Sequence, residues 1–234
     1  MKRTALLLLL SCLSIAASAQ YNYYRIAFGI GGGMNRYFGD VEYKPKYKPT
    51  ISATLDYNFT PFASAGIEFQ TGTISAGDSI PAPGNPHLRY FKNGYKAIIL
   101  GGKIQLGQVV DIQSSDFLYY VRGFYLGSGV GVVMNKMKEI VRIKPDGSNY
   151  PFPGLNKSKD LLIPANIGFN FDFPDQWGYT RFIFNINYQF NVTLGEGLDG
   201  YNDPKSLGFK NSAPDMFHNL TIGIKYCFGP EGLY

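Results

Sequence analysis

Between Ile163 and Val192 the chain alternates apolar and polar residues at nearly every step. Ile163, Ala165, Ile167, Phe169 and Phe171 are separated by Pro164, Asn166, Gly168 and Asn170. After the turn-like Pro174-Asp175-Gln176-Trp177-Gly178, a second run sets Phe182, Phe184, Ile186, Tyr188 and Phe190 against Arg181, Ile183, Asn185, Asn187 and Gln189. Successive strand side chains point to opposite faces, so each segment has one aromatic face and one face of amides and glycine. In a soluble sandwich the apolar face must meet a second sheet, and Val, Leu and Ile would dominate it. A Phe- and Tyr-rich face repeated along a chain suits lipid outside and polar contacts inside, the pattern of a membrane β-barrel.

The same alternation recurs. Candidate strands run over 23–33, 50–59, 62–74, 95–106, 117–134 and 216–228, which with the two above makes eight. The expected fold is an all-β, eight-stranded, antiparallel up-and-down transmembrane β-barrel over residues 20–234. No apolar run past the N-terminus reaches helix-spanning length, and the mean hydropathy of -0.10 is that of a soluble protein. Strands with one lipid face and one lumen face average to such a value.

The leader points to the same compartment. Lys2 and Arg3 precede an apolar stretch from Ala5 to Ile15 and the small-residue tripeptide Ala17-Ser18-Ala19. Residues 1–19 read as a secretory signal peptide cleaved before Gln20; the rival is a lipobox ending at Cys12. Only Cys227 would then remain, leaving no internal disulfide. The formal net charge of +5 includes Lys2 and Arg3, so the mature chain offers no case for nucleic acid.

The segments 34–49, 75–94, 135–160 and 193–215 are long and rich in Gly, Pro, Asn, Asp and Lys, whereas 60–61, 107–116 and 174–179 are shorter. Outer-membrane barrels pair short periplasmic turns with long extracellular loops. This sorting puts the N-terminus and short turns in the periplasm and the long loops outside. Arg122 falls on the lipid face of the fifth expected strand. It is expected near the periplasmic interface, snorkelling beside Tyr119 and Tyr120, unless a bulge near Gly123 turns it inward.

The polar faces carry Arg25, Asp56, Glu68, Lys103, Asp172, Arg181 and Lys225. A barrel of eight strands is just wide enough for side chains to fill. These charges are expected to pair across the lumen as a plug, with Gly29, Gly31, Gly127, Gly129, Gly131 and Gly223 making room. A small gated pore is the alternative.

Other motifs are weak. Gly29-Ile30-Gly31-Gly32-Gly33 lacks the helix and the acidic residue of a dinucleotide fingerprint. His87, in the second long loop, and His218, near the outer rim beside Asp215, could serve a rim enzyme with Ser75, Ser79 or Ser212, but nothing fixes a nucleophile against a base. No enzymatic activity is expected, and no catalytic, cofactor or metal residues are assigned. Gly195 to Asp203 has oxygen ligands suited to calcium, yet its spacing does not match an EF-hand and a turn explains it. The first long loop (Arg36, Tyr37, Tyr43, Lys44, Lys46, Tyr47, Lys48) could touch anionic lipopolysaccharide or a partner, or be simply solvated.

Tyr24-Arg25-Ile26-Ala27-Phe28-Gly29-Ile30-Gly31-Gly32-Gly33 followed by Tyr37-Phe38-Gly39-Asp40, on eight strands, resembles the OmpA-like outer-membrane β-barrel proteins of Bacteroidota over essentially the whole mature chain. The Tyr-Phe-Gly-Asp element also looks like the small barrels of type IX secretion and gliding machinery. The resemblance implies fold and outer-membrane location rather than an activity. Ending at Tyr234, the chain is not expected to carry a peptidoglycan-binding domain. Beside the resemblance, the function expected is structural or accessory: a barrel in contact with outer-membrane lipid and lipopolysaccharide whose external loops or rim bind an envelope protein, in a secretion or uptake complex. The alternatives are a narrow small-solute pore and a lipid-modifying or proteolytic rim enzyme.

Overall fold

In the computed structural model the alternating segments hydrogen-bond in sequence order until the last meets the first. Residues 22–41, 46–78, 80, 88–202 and 214–233 are described; the leader, Tyr43, Lys44, Ser79, His87, Asp203 and Ser212 lie outside them. The strands are β1 (Asn22–Phe38), β2 (Lys48–Thr60), β3 (Ala63–Gly77), β4 (Tyr90–Gln105), β5 (Phe124–Ile140), β6 (Lys157–Pro174), β7 (Thr180–Leu194) and β8 (Met216–Leu233). Each pairs antiparallel with its neighbour, and β8 returns to β1 from Asn22↔Leu233 to Phe38↔Met216. Closure leaves no strand edge unpaired.

The outer wall carries what alternation assigned to it. Ile30, Leu100, Leu126 and Val130 are 58–61% exposed, and Phe28, Phe69, Phe171, Phe182 and Tyr226 stand out beside them. In water this continuous apolar face would drive aggregation; in hydrocarbon it is the stable arrangement, because the closed ladder pairs backbone donors and acceptors from strand to strand inside the wall. Among the described residues no helix is long and apolar enough to cross a membrane, so the strands are what would cross.

Three expectations need correction. The fifth strand begins at Phe124, not Phe117: Asp116–Val121 form a short helix, α1, preceded by a 3-10 turn at Leu106–Gln108. Arg122 therefore caps α1 rather than standing on a lipid face. Its guanidinium lies 4.0 Å from the Tyr119 ring centre and donates to the Tyr119 carbonyl at 2.9 Å.

The strands also outrun the hydrophobic alternation at the opposite end: β1 reaches Phe38, β4 starts at Tyr90, β5 reaches Ile140 and β6 starts at Lys157. The inner face there packs Tyr37, Phe91, Tyr95 and Val133 among the buried amides of Asn35, Asn93 and Asn135, which a reading of the outer face alone does not see. The two extensions together undo the sorting of connections by length. The 106–123 connection is longer than the 39–47 connection, so loop length alone does not orient the barrel.

The third correction lies in β1. A bulge interrupts its register with β8 between Tyr24 and Ile26. It turns Tyr24 inward, where it is buried with Ala27, Ile183 and Cys227. Arg25 then reaches the hydroxyl of Tyr57 at 3.1 Å, and Tyr57 stands on the outer wall. Arg25 is thus no member of a lumen network: an inserted residue flips every side chain on its far side.

Candidate functional site

The lumen is built from amides. Asn166 and Asn170 on β6, Asn185, Asn187, Gln189 and Asn191 on β7, Asn219 on β8 and Gln70 on β3 all point inward and are buried. Gln70 Nε2 donates to Gln189 Oε1 at 2.5 Å, joining β3 to β7 across the interior. Gln189 Nε2 donates to Asn166 Oδ1 at 3.0 Å, and Asn219 Nδ2 to Gln70 Oε1 at 3.0 Å. Tyr125 on β5 lies in the same layer, its hydroxyl donating to Asn187 Oδ1 at 2.9 Å and accepting from Asn185 Nδ2 at 3.0 Å. Gly168 makes that possible: a Cβ there would lie 2.5 Å from the Tyr125 hydroxyl.

The seven charges named from the sequence part company around this core. Lys225 and Asp56 form one buried ion pair, Nζ to Oδ2 at 2.5 Å. Glu68 instead accepts from the amides of Gln70 (2.8 Å) and Gln189 (3.3 Å). Lys103 packs its stem against Gly127 and holds its ammonium 5.9 Å from the Tyr125 ring centre. Arg181 sits at the hairpin end, 4.0 Å over the Tyr24 ring, and pairs with Asp175 at 3.0 Å. Asp175 belongs to the β6–β7 turn, which it organises by accepting from the backbone amides of Trp177 and Tyr179. Asp172 borders a small cavity with Asp56, Lys225 and Cys227, and its side chain makes no hydrogen bond among the described residues. Three cavities lined by lumen side chains are about 20 Å³ each, room for about one water apiece.

At the other end the lumen is closed by a second core. Tyr37, Phe91, Tyr95 and Phe217 from the strands pack with Phe152, Leu198 and Tyr201 from the β5–β6 and β7–β8 connections. The segment 195–202 folds down over the mouth: Leu198 is fully buried, its carbonyl accepts from Asn93 Nδ2 at 2.9 Å, and the Tyr201 hydroxyl donates toward the carbonyls of Tyr90 (2.8 Å) and Val141 (2.9 Å).

Beneath this lid the Tyr37 hydroxyl stands 2.8 Å from Asp215 Oδ1 and 3.1 Å from Asp199 Oδ2. One hydroxyl proton faces two carboxyls. Burial pushes Asp199 up to about 7, and burial together with Asp199 raises Asp215 well above the usual carboxylate range, so the pair holds a proton near neutrality. The loop weighed for calcium is therefore a lid whose Asp199 is spent on protein groups. Among the described residues no His, Cys, Asp and Glu side chains cluster as metal ligands.

The rim histidine does not meet its acid. His218 Nδ1 hydrogen-bonds the Tyr188 hydroxyl at 2.6 Å on the outer wall, stacked edge-on to Phe38, while Asp215 is turned inward and buried. Ser75 is fully buried. The lid and its acid pair were missed from the sequence; the signal available was the density of aromatic residues at the strand ends.

No protein-family model matches the chain, and neither does any curated protein. The barrel is similar to solved outer-membrane proteins. Neisserial surface protein A is 9% identical with a TM-score of 0.51, the match covering 87% of this chain and 97% of that one. A major outer membrane protein from Thermus thermophilus is 11% identical (TM-score 0.46, 87% and 99% covered), and OprG from Pseudomonas aeruginosa 12% identical (0.43, 88% and 98%). At such identities the likeness is one of fold.

Proposed function

We propose that this chain is an integral outer-membrane scaffold, a closed barrel that conducts nothing and presents its capped end to the cell exterior, where it engages an envelope partner. The observation that carries the reading is double closure: an amide-filled lumen under a mouth sealed by the buried side chains of Leu198, Tyr201 and Phe152. A pore would need a continuous polar path, and cavities of about 20 Å³ do not make one. An outward-facing His218 bonded to Tyr188 gives no support to a rim enzyme. The signal peptide over residues 1–19 and kinship with Bacteroidota OmpA-like barrels belong to the same proposal.

Cysteine labelling on intact cells tests the orientation. Cys227 is buried and silent, so Ser148→Cys in the β5–β6 connection should react with a membrane-impermeant maleimide. Gln176→Cys in the β6–β7 turn should react only after the outer membrane is opened. Steady single-channel current from the purified barrel in planar bilayers would refute the closed scaffold.

A further inference from the structure

Just above the apolar band, at the capped end, the outer wall of β4, β5 and β6 carries lysines that no described residue neutralises. Two neighbouring cross-strand rows hold them. One runs Thr71–Lys96–Met134–Lys159, the other Thr73–Gly94–Lys136–Lys157, each residue directly opposite the next. Lys96, Lys136, Lys157 and Lys159 are exposed and make no ion pair among the described residues. Lys138 joins them, its stem lying over the bare Cα of Gly94 and its ammonium on the Thr73 hydroxyl at 3.3 Å. Glu139, the carboxylate on this face, is already held by Lys92 at 2.6 Å.

Like charges directly opposed across a ladder are destabilising, and Lys136 faces Lys157 in that way. A sheet that keeps such a pair, unrelieved, is arranged for anions from outside. The hairpin end has no counterpart: there Arg181 is paired with Asp175, and Arg122 and Arg25 lie against tyrosines. A shallow apolar groove of about 980 Å³ on the outer wall, bordered by Ile30, Ile51, Phe69 and Ile98 around the small Gly32 and Ala53, runs up to Lys96. Acyl chain below and anion above is the chemistry of a lipid.

We infer that this face binds a phosphorylated glycolipid, one carrying more than one phosphate on a saccharide head with several acyl chains. The inference rests on the membrane reading proposed above. The breadth of the cluster selects the ligand class: Lys96 and Lys159 stand two strands apart, about 10 Å, so the site spans more than the single phosphate of a phospholipid headgroup. Chains lie along the groove while the phosphates bridge lysines of different strands and relieve the repulsion between them.

The test is retention of lipid by the refolded barrel through gel filtration in neutral detergent, with bis-phosphorylated lipid A, mono-phosphorylated lipid A, phosphatidylglycerol or phosphatidylcholine supplied. Each lysine near a charged lipid surface is worth roughly fivefold. The quadruple variant Lys96→Gln, Lys136→Gln, Lys157→Gln, Lys159→Gln should therefore retain bis-phosphorylated lipid A at least tenfold less than the parent. Lys144→Gln, whose lysine is already paired with Asp146 at 2.7 Å, should retain it fully, and the mono-phosphorylated form should bind less well to the parent. Equal retention by parent and quadruple variant overturns the site, and equal retention of phosphatidylglycerol and lipid A by the parent overturns the glycolipid assignment. Should the quadruple variant not fold, Lys136→Gln with Lys157→Gln and the salt dependence of parental binding decide in the same sense. A parent that enters neither detergent nor bilayer as a folded barrel refutes the membrane reading instead, a result visible before any lipid is added.

Discussion

Removing Lys225 should expose how much the lumen depends on the buried ion pair it forms with Asp56. At 2.5 Å and an effective dielectric of 20, the Coulomb attraction is about 7 kcal/mol. Desolvating the two ions costs several kcal/mol each, so the intact pair contributes little net stability. The single variants are another matter. Lys225→Met leaves the Asp56 carboxylate buried against Gly66 without its ion-pair partner, and should cost about 3–5 kcal/mol. Asp56→Asn strands the ammonium and should cost about as much. The double variant Asp56→Asn, Lys225→Met leaves an amide among amides and a flexible apolar chain in the lysine's channel, at about 1 kcal/mol. Equilibrium urea unfolding in micelles or vesicles, followed by tryptophan emission and by the gel shift between folded and boiled barrel, measures all three. Coupling near zero, with the double variant losing the sum of the two singles, would refute the claim that the two buried charges depend on each other. Single losses under 1 kcal/mol would do the same.

The lid should loosen as the pH rises. Asp199 and Asp215 are held above their ordinary range, so the closed lid binds protons more tightly than the open one; its stability is greatest below about pH 4 and falls as the pH climbs through 7. Asp199, raised from 3.8 to about 7 by burial, and Asp215, raised well above its ordinary range first by burial and then by Asp199, share this dependence; Asp199→Asn should weaken it and leave the part that burial imposes on Asp215. Amide exchange at Leu198 and Tyr201 across pH 5–9 reads this, and better protection at pH 9 than at pH 5 would contradict it. Gly168→Val should destabilise the barrel by about 1–3 kcal/mol, because its Cβ would meet the Ile186 carbonyl at 2.3 Å and the Tyr125 ring at 2.6 Å; urea titration checks it, and a neutral outcome would mean Tyr125 does not lie across that glycine. Arg181→Ala should lower the thermal midpoint more than Arg25→Ala, since Arg181 holds Tyr24 and the β6–β7 turn together whereas Arg25 touches one outer tyrosine.

The outer face was legible because lipid imposes one rule at every second position. Phe182, Phe184, Tyr188, Ile222 and Ile224 obey it without error, and the strand count followed. What escaped was set by contacts the alternation does not encode. The bulge after Tyr24 inverts two side chains, yet Tyr24-Arg25-Ile26 reads as an unbroken apolar–polar–apolar step. Residues 116–121 alternate poorly either as strand or as helix, and the Gly107 amide bonding to the Arg122 carbonyl at 3.1 Å settles them as a folded connection. The lid depends on Tyr37, Asp199 and Asp215, distant in sequence and joined only by closure of the barrel. Charge is the conspicuous feature of the polar faces in the sequence, although the amides beside the charges hold the lumen together.

That preference for amides has a physical basis with consequences for function. A narrow lumen walled by backbone cannot hydrate seven ions, and each unpaired one would cost several kcal/mol. An amide brings a donor and an acceptor in one planar group, so Gln70, Gln189, Asn166 and Asn187 satisfy one another across strands without any net charge to desolvate. Such a network cannot move aside for a solute without breaking bonds on three strands at once. Chemistry is thereby displaced to surfaces where charge remains hydrated and unpaired. On this chain that is the lysine face of β4–β6 and the connections above it, where an anionic headgroup or a partner can supply what the barrel lacks.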